Sequence, residues 1–180
     1  RREIRRLAFQ ALFQLDARAE IESEELRAML TDVASESAPD LSDADVGAAL
    51  DLAQDAYRRR READGAVNDL APTWPAQRQP AVDRAILRLA FHEMTTRGVE
   101  PKVVVNEAVE LAKRYSTERS PAFVNGVLDK ILRQVMGEGS GAAPEGDEQS
   151  ADAGDQQPAE GPCPVCTADA ADAPHGGEPG

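Results

Sequence analysis

Pro80-Ala81-Val82-Asp83-Arg84-Ala85-Ile86-Leu87-Arg88-Leu89-Ala90-Phe91-His92-Glu93-Met94 points most directly to the fold class. A proline opens it, and in the first turn of a helix the missing N–H costs nothing. Val82, Ala85, Ile86, Leu87, Leu89, Ala90, Phe91 and Met94 make it apolar on most sides, so it reads as a buried central helix. The flanking segments supply its cover. Ile4, Leu7, Ala8, Ala11, Leu12 and Leu15 recur at i, i+3, i+4, i+7, i+8 and i+11, the stripe of an amphipathic helix. A second helix over roughly 22–35 carries Leu26, Met29, Leu30 and Val33. Ser42, with Asp45 three residues on, is an N-cap for a third, marked by Val46, Ala49, Leu50, Ala53, Ala56 and Tyr57 and running to about Leu70. Pro101 opens a stripe of Val104, Ala108, Leu111, Ala112 and Tyr115. Ser120-Pro121 opens the last, from Phe123 to Val135, with Gly137 as its stop. The sum is six to seven helices and no convincing strand, an all-α domain.

Composition agrees. The 180 residues are 41% hydrophobic but only 4% aromatic, a poor basis for a β-barrel or sandwich. No stretch approaches the roughly 18–20 continuous apolar residues of a membrane span. No long apolar run follows Arg1–Arg6, so the opening does not read as a secretory signal. The two cysteines, Cys163 and Cys166, lie too close in sequence to frame a disulfide fold, and the cytoplasm is the expected compartment. The net charge of −13 is unevenly spread. Residues 137–180 hold ten acids, no Lys or Arg, nine of the 13 glycines and six of the 12 prolines, with Val165 their one large aliphatic residue. Such a segment buries too little to offset its ordering entropy and is expected to be a disordered acidic tail. The remaining residues 1–136 have basic ends, 1–18 and 78–136, around an acidic middle. Pro72 and Pro75 bracket Trp74, which places a boundary between subdomains of roughly 1–71 and 78–136.

Catalytic equipment is scarce. No Gly-rich phosphate loop, His-Glu-x-x-His or Gly-x-Ser-x-Gly occurs. Residues 1–136 hold one histidine, His92, placed by its spacing from Arg84 and Arg88 at the rim of the central helix, and no cysteine. Cys163-Pro164-Val165-Cys166 is half of a zinc site without its second pair, so neither a metal nor any other cofactor is expected. This favours a binding module over an enzyme. Arg1, Arg2, Arg5 and Arg6 concentrate positive charge at the first helix's N-terminus, where the macrodipole is already positive. That is a poor structural choice and a good phosphate site. Phe13 and Phe123 are aromatic candidates for stacking on unpaired bases. Asn106, Asn125 and Gly126 interrupt apolar helices, which suggests a close helix crossing with hydrogen bonds across it.

Three blocks resemble the NusB family of bacterial transcription antitermination factors. They are Arg1-Arg2-Glu3-Ile4-Arg5-Arg6-Leu7-Ala8-Phe9-Gln10-Ala11-Leu12-Phe13, then Asp83–Met94, and then Val105-Asn106-Glu107-Ala108-Val109-Glu110-Leu111-Ala112-Lys113-Arg114-Tyr115 joined to Phe123-Val124-Asn125-Gly126-Val127-Leu128-Asp129. The resemblance implies two three-helix subdomains. It implies binding of the boxA element of ribosomal RNA leader transcripts, together with the ribosomal protein called NusE, within an antitermination complex on RNA polymerase. It assigns RNA contacts to Arg1, Arg2, Arg5, Arg6, Gln10, Phe13 and Phe123, and the NusE side to Asp83. Some relatives resemble homodimers. Glu3 within the basic run, Phe13 where a Tyr is common, and the acidic tail depart from the family pattern. The same fold resembles the RNA-binding domain of rRNA cytosine methyltransferases, an alternative only if the chain is a fragment. A helical protein-interaction module without RNA binding is the other. A clamp without chemistry follows from the main reading: arginines neutralise phosphates while aromatic and polar groups select unpaired bases. The acidic tail is expected to screen the arginines from unrelated RNA.

Overall fold

The computed structural model describes residues 1–137 apart from 19, 97 and 136. The acidic segment from 138 onward, with Cys163 and Cys166, lies outside the described residues. Seven α-helices are present and no strand occurs among the described residues: α1 (Arg2–Ala17), α2 (Ser23–Ser37), α3 (Asp43–Arg58), α4 (Arg60–Leu70), α5 (Ala81–Thr95), α6 (Pro101–Tyr115) and α7 (Ser120–Val135). The all-α expectation is met.

Helix α5 is the axis. Every residue from Ala85 to Met94 is buried, and α1, α3, α4, α6 and α7 all pack on it. A sequence apolar on most sides needs neighbours on most sides, and burial of its aliphatic and aromatic groups is the main stabilising contribution. The apolar stripes of α1, α2 and α7 turn inward on α5, so Leu7, Leu12, Leu26, Leu30, Ile86, Leu87, Leu89, Leu128 and Ile131 lie in one continuous core.

Local signals set the helix ends. Ser42 accepts a hydrogen bond from the Asp45 backbone N–H while the Asp45 carboxylate accepts one from the Ser42 N–H, the reciprocal cap expected from sequence. Pro101 is the first residue of α6, Pro121 the second of α7, and Pro80 stands just before α5. Gly137 closes α7 at φ 73°, in the left-handed region that favours glycine. The third helix does not run unbroken to Leu70. It breaks at Arg59, whose φ of −92° and ψ of 9° leave the helical well. The cause is tertiary: the Arg59 side chain donates to Thr95 Oγ1 at 2.7 Å and lies over the Phe91 ring, tying the break to α5.

The expected crossing at Asn106, Asn125 and Gly126 is not formed. All three are exposed, and a Cβ on Gly126 would meet nothing within 4 Å. They lie on the outer faces of α6 and α7, whose inner faces hold Val104, Ala108, Val124 and Val127.

Candidate nucleic-acid interface

Helices α1 and α6 both lean on α5 but scarcely touch each other through their backbones. Long side chains span the gap. Arg2 donates to Glu107 at 2.8 and 3.1 Å. Arg5 makes a two-pronged contact with Glu93 of α5, Nε to Oε2 at 2.7 Å and Nη2 to Oε1 at 2.8 Å, and its Nη1 lies 3.8 Å from Glu107. The gap forms a groove of about 280 Å³ in which Arg2, Arg5 and Arg6 of α1 meet Glu107, Lys113 and Arg114 of α6.

The four arginines expected to act alike divide into two kinds. Arg1 is exposed, and the Arg2 side chain is 69% exposed despite its tie to Glu107. Arg5 and Arg6 are only 9% and 5% exposed. The hydrogen bond to Glu93 and the nearby carboxylate charges raise the Arg5 pKa further, against the opposing effect of burial. Arg6 donates to Ser37 Oγ at 2.9 Å, joining α1 to α2, and its Nη2 lies 2.7 Å from Glu3. The expectation that a structural role explains this cluster poorly is therefore corrected for Arg5 and Arg6. Their charges are balanced by Glu93, Glu107 and Glu3, two of them more than 80 residues away in sequence. Glu3, expected to interrupt the basic run, neutralises one of its members.

Gln10 and Phe13 follow on α1, both half-buried, and line a smaller cleft with Tyr115 of α6. Phe123 is half-buried at the start of α7 and packs against the core. It is not among the residues that line this cleft.

Asp83 is 3% exposed. Its carboxylate accepts hydrogen bonds from Ser116 at 2.5 Å and Ser120 at 2.8 Å, bracing the start of α5 against the turn between α6 and α7. A partner-facing acid would need free oxygens, whereas both oxygens here are occupied internally. His92 is likewise buried rather than set at a rim. Burial and the Arg59 charge hold its pKa below the usual histidine value, against Asp55 and Glu93.

Beyond α1, the structure adds Lys113 and Arg114, which sequence reasoning left unassigned. Both are exposed; Lys113 pairs with Glu110, and Arg114 rests 5.3 Å from the Tyr115 ring centroid. The basic excess of residues 78–136 was the available signal, but only folding sets it beside α1. No group of three or more potential metal ligands occurs among the described residues.

The chain matches the NusB family profile over residues 2–133. It is 40% identical to the transcription antitermination protein NusB of Symbiobacterium thermophilum over 140 residues, covering 76% of this chain and 92% of the relative. The T. maritima NusB structure superposes with a TM-score of 0.62 at 30% identity, covering 74% of this chain and 90% of that one. A crystal structure of the antitermination factors NusB and NusE in complex with dsRNA gives a TM-score of 0.61 at 28% identity, covering 74% and 96%.

Proposed function

The chain belongs to the NusB family, and on that premise we propose that it is an RNA-binding antitermination factor that takes boxA of rRNA leader transcripts together with NusE. The observation that carries this reading is that Arg2, Lys113 and Arg114 line one groove between α1 and α6, with Arg1 beside Arg2 in the adjoining hollow; within it Arg2 pairs with Glu107 and Lys113 with Glu110. Exposed cations meet phosphates and release counterions. Gln10, Phe13 and Phe123 contact bases. Arg5 and Arg6 act as positioning residues, fixing α1 against α5, α6 and α2 so that the exposed cations border the groove. The buried Asp83 serves NusE indirectly, by holding the α6–α7 turn.

No chemical step is required. NusE contributes further RNA surface, so the two together bind RNA more tightly than either alone. The same reading includes the RNA polymerase assembly, a cytoplasmic setting, the division into subdomains 1–71 and 78–136, and a homodimer as the RNA-free state. The relative solved with NusE and dsRNA supports the choice of partner class.

The test is fluorescence anisotropy of a boxA 12-mer and a scrambled 12-mer across a salt series, with and without NusE. Selective binding that strengthens with NusE is expected. Arg1→Glu with Arg2→Glu should weaken binding to both RNAs and flatten the salt dependence. Equal affinity for the two RNAs would remove boxA recognition, and an unchanged double variant would remove the arginine row.

A further inference from the structure

Of the five Arg in residues 19–77, four stand together as Arg58-Arg59-Arg60-Arg61, at the break between α3 and α4. Like charges three residues apart weaken a helix, and only one of the four ties helices together. That one is Arg59, which reaches Thr95 and the Phe91 ring of α5 and pairs with Glu62. None of the other three is buried. The Arg58 side chain is 68% exposed and pairs with Asp55 one turn back, an exposed contact weak enough for a phosphate to replace. Arg60 lies over the Tyr57 ring, 4.0 Å from its centroid, and donates to the Tyr57 carbonyl at 2.9 Å, which holds its guanidinium in place. Arg61 is exposed and makes no ion pair among the described residues. The nearest acids in sequence, Asp55, Glu62 and Asp64, are each held by an arginine, so a cationic patch stands inside the acidic middle of the chain.

We infer that Arg58, Arg60 and Arg61 bind phosphates of the RNA that flanks boxA. The inference rests on the RNA-binding reading above and adds a second contact away from α1. Arginine suits the task, because its planar fork meets two phosphate oxygens at once. The same fork would meet the carboxylates of an acidic protein segment, and continuity decides between them. A hollow of about 720 Å³ holds Arg1 and Arg2 together with Leu52 of α3, His92 of α5 and Thr96 just past the end of α5. Arg58 follows Leu52 by about 9 Å along α3, and Arg59 is bonded to Thr95, the neighbour of Thr96. A strand that leaves Arg1 and Arg2 along this hollow therefore arrives at the α3–α4 break within a few nucleotides. A protein partner has no such reason to pass from one arginine cluster to the other.

The test uses the full chain with the boxA 12-mer and two 24-mers that extend it by twelve unstructured nucleotides on the 5′ or the 3′ side. One extension should steepen the fall of log affinity with log salt by about 1.4, two phosphates on a single strand, or about 7-fold over a fourfold change in salt. Arg58→Gln with Arg61→Gln, both at exposed positions, should abolish that increment while the 12-mer binds within about twofold of wild type. Arg61→Gln alone should remove about half of it. An increment that survives in the double variant, or the lack of one with either extension, would overturn the inference. A twelve-residue poly-glutamate peptide that binds the wild type more tightly than the detached flanking RNA does, and loses that binding in the double variant, would give the patch to an acidic protein segment instead. Failure of the wild type to bind the 12-mer would bring down the RNA reading itself, and this inference with it.

Discussion

Replacing Arg5 by alanine separates a positioning residue from a phosphate contact. The substitution removes two hydrogen bonds, 2.7 and 2.8 Å, and strands Glu93, whose side chain is 6% exposed, without a cation. Breaking a buried ion pair by deleting one partner costs about 3–5 kcal/mol, because the remaining charge has lost both water and counter-charge. Arg5 retains a little solvent contact, and Arg2 stays engaged with Glu107. The lower end, about 3 kcal/mol, is therefore expected. For a folded part of this size each kcal/mol moves Tm by roughly 3–5 °C, so the fall should be about 10–15 °C. Urea titration should show a lower midpoint at unchanged slope. The double variant Arg5→Met with Glu93→Leu, which replaces the pair by apolar groups, should return to within about 1 kcal/mol of wild type. Well below its melting transition, Arg5→Ala should hold boxA RNA within about threefold of wild type, because the proposed phosphate contacts lie with the exposed cations instead. A tenfold loss of RNA affinity with stability intact would instead make Arg5 a direct RNA ligand.

Three further outcomes follow from single positions. Burial pushes the Asp16 carboxyl up, but hydrogen bonds and charge from Arg84 and Arg88 outweigh it and hold the pKa below the ordinary 3.8. Its contribution is thus present above that value and lost as pH falls through the lower folded pKa, and Asp16→Asn should flatten the acid limb of a plot of urea midpoint against pH. His92 is depressed below 6.5 by burial first and the Arg59 charge second. It too favours the fold above the unfolded pKa and loses that contribution as pH falls, so His92→Gln should remove a slope in stability just below pH 6.5. Gly126→Ala, in a helix with open space around the new Cβ, should stabilise by about 1 kcal/mol in chemical denaturation.

The fold was legible because its main driving force is written locally. Leu87, Leu89, Ala90 and Phe91 on successive faces of α5 demand a surround, and the stripes of α1, α6 and α7 are the surfaces that answer. The break at Arg59 was not legible, since no glycine or proline marks it; a guanidinium reaching Thr95 and Phe91 does. The split within the arginine cluster was hidden for the same reason. Which acid meets Arg5 depends on a pairing 88 residues apart. One signal was available: Glu93 sits between His92 and Met94 in a helix apolar on most sides, and a carboxylate buried there requires a cation. Gly126 misled because a glycine inside an apolar helix reads as a contact, and here the apolar residues beside it face the other way.

The position of that acid links architecture to recognition. Because α1 and α6 pack on α5 rather than on each other, a groove lies between them, lined by charged side chains of both helices. Glu93 in α5 and Glu107 in α6 convert this gap into a cationic site by holding Arg5 and Arg2 across it. Acids thus help to build the surface proposed for RNA. Glu93 ties α1 to α5 through Arg5, and the exposed Arg2, Lys113 and Arg114 border the gap on its two sides, with Arg1 beside Arg2 in the adjoining hollow. It follows that Glu93→Ala, which breaks the same tie from α5, should lower stability as Arg5→Ala does while boxA affinity, measured well below the melting transition, stays within about threefold of wild type.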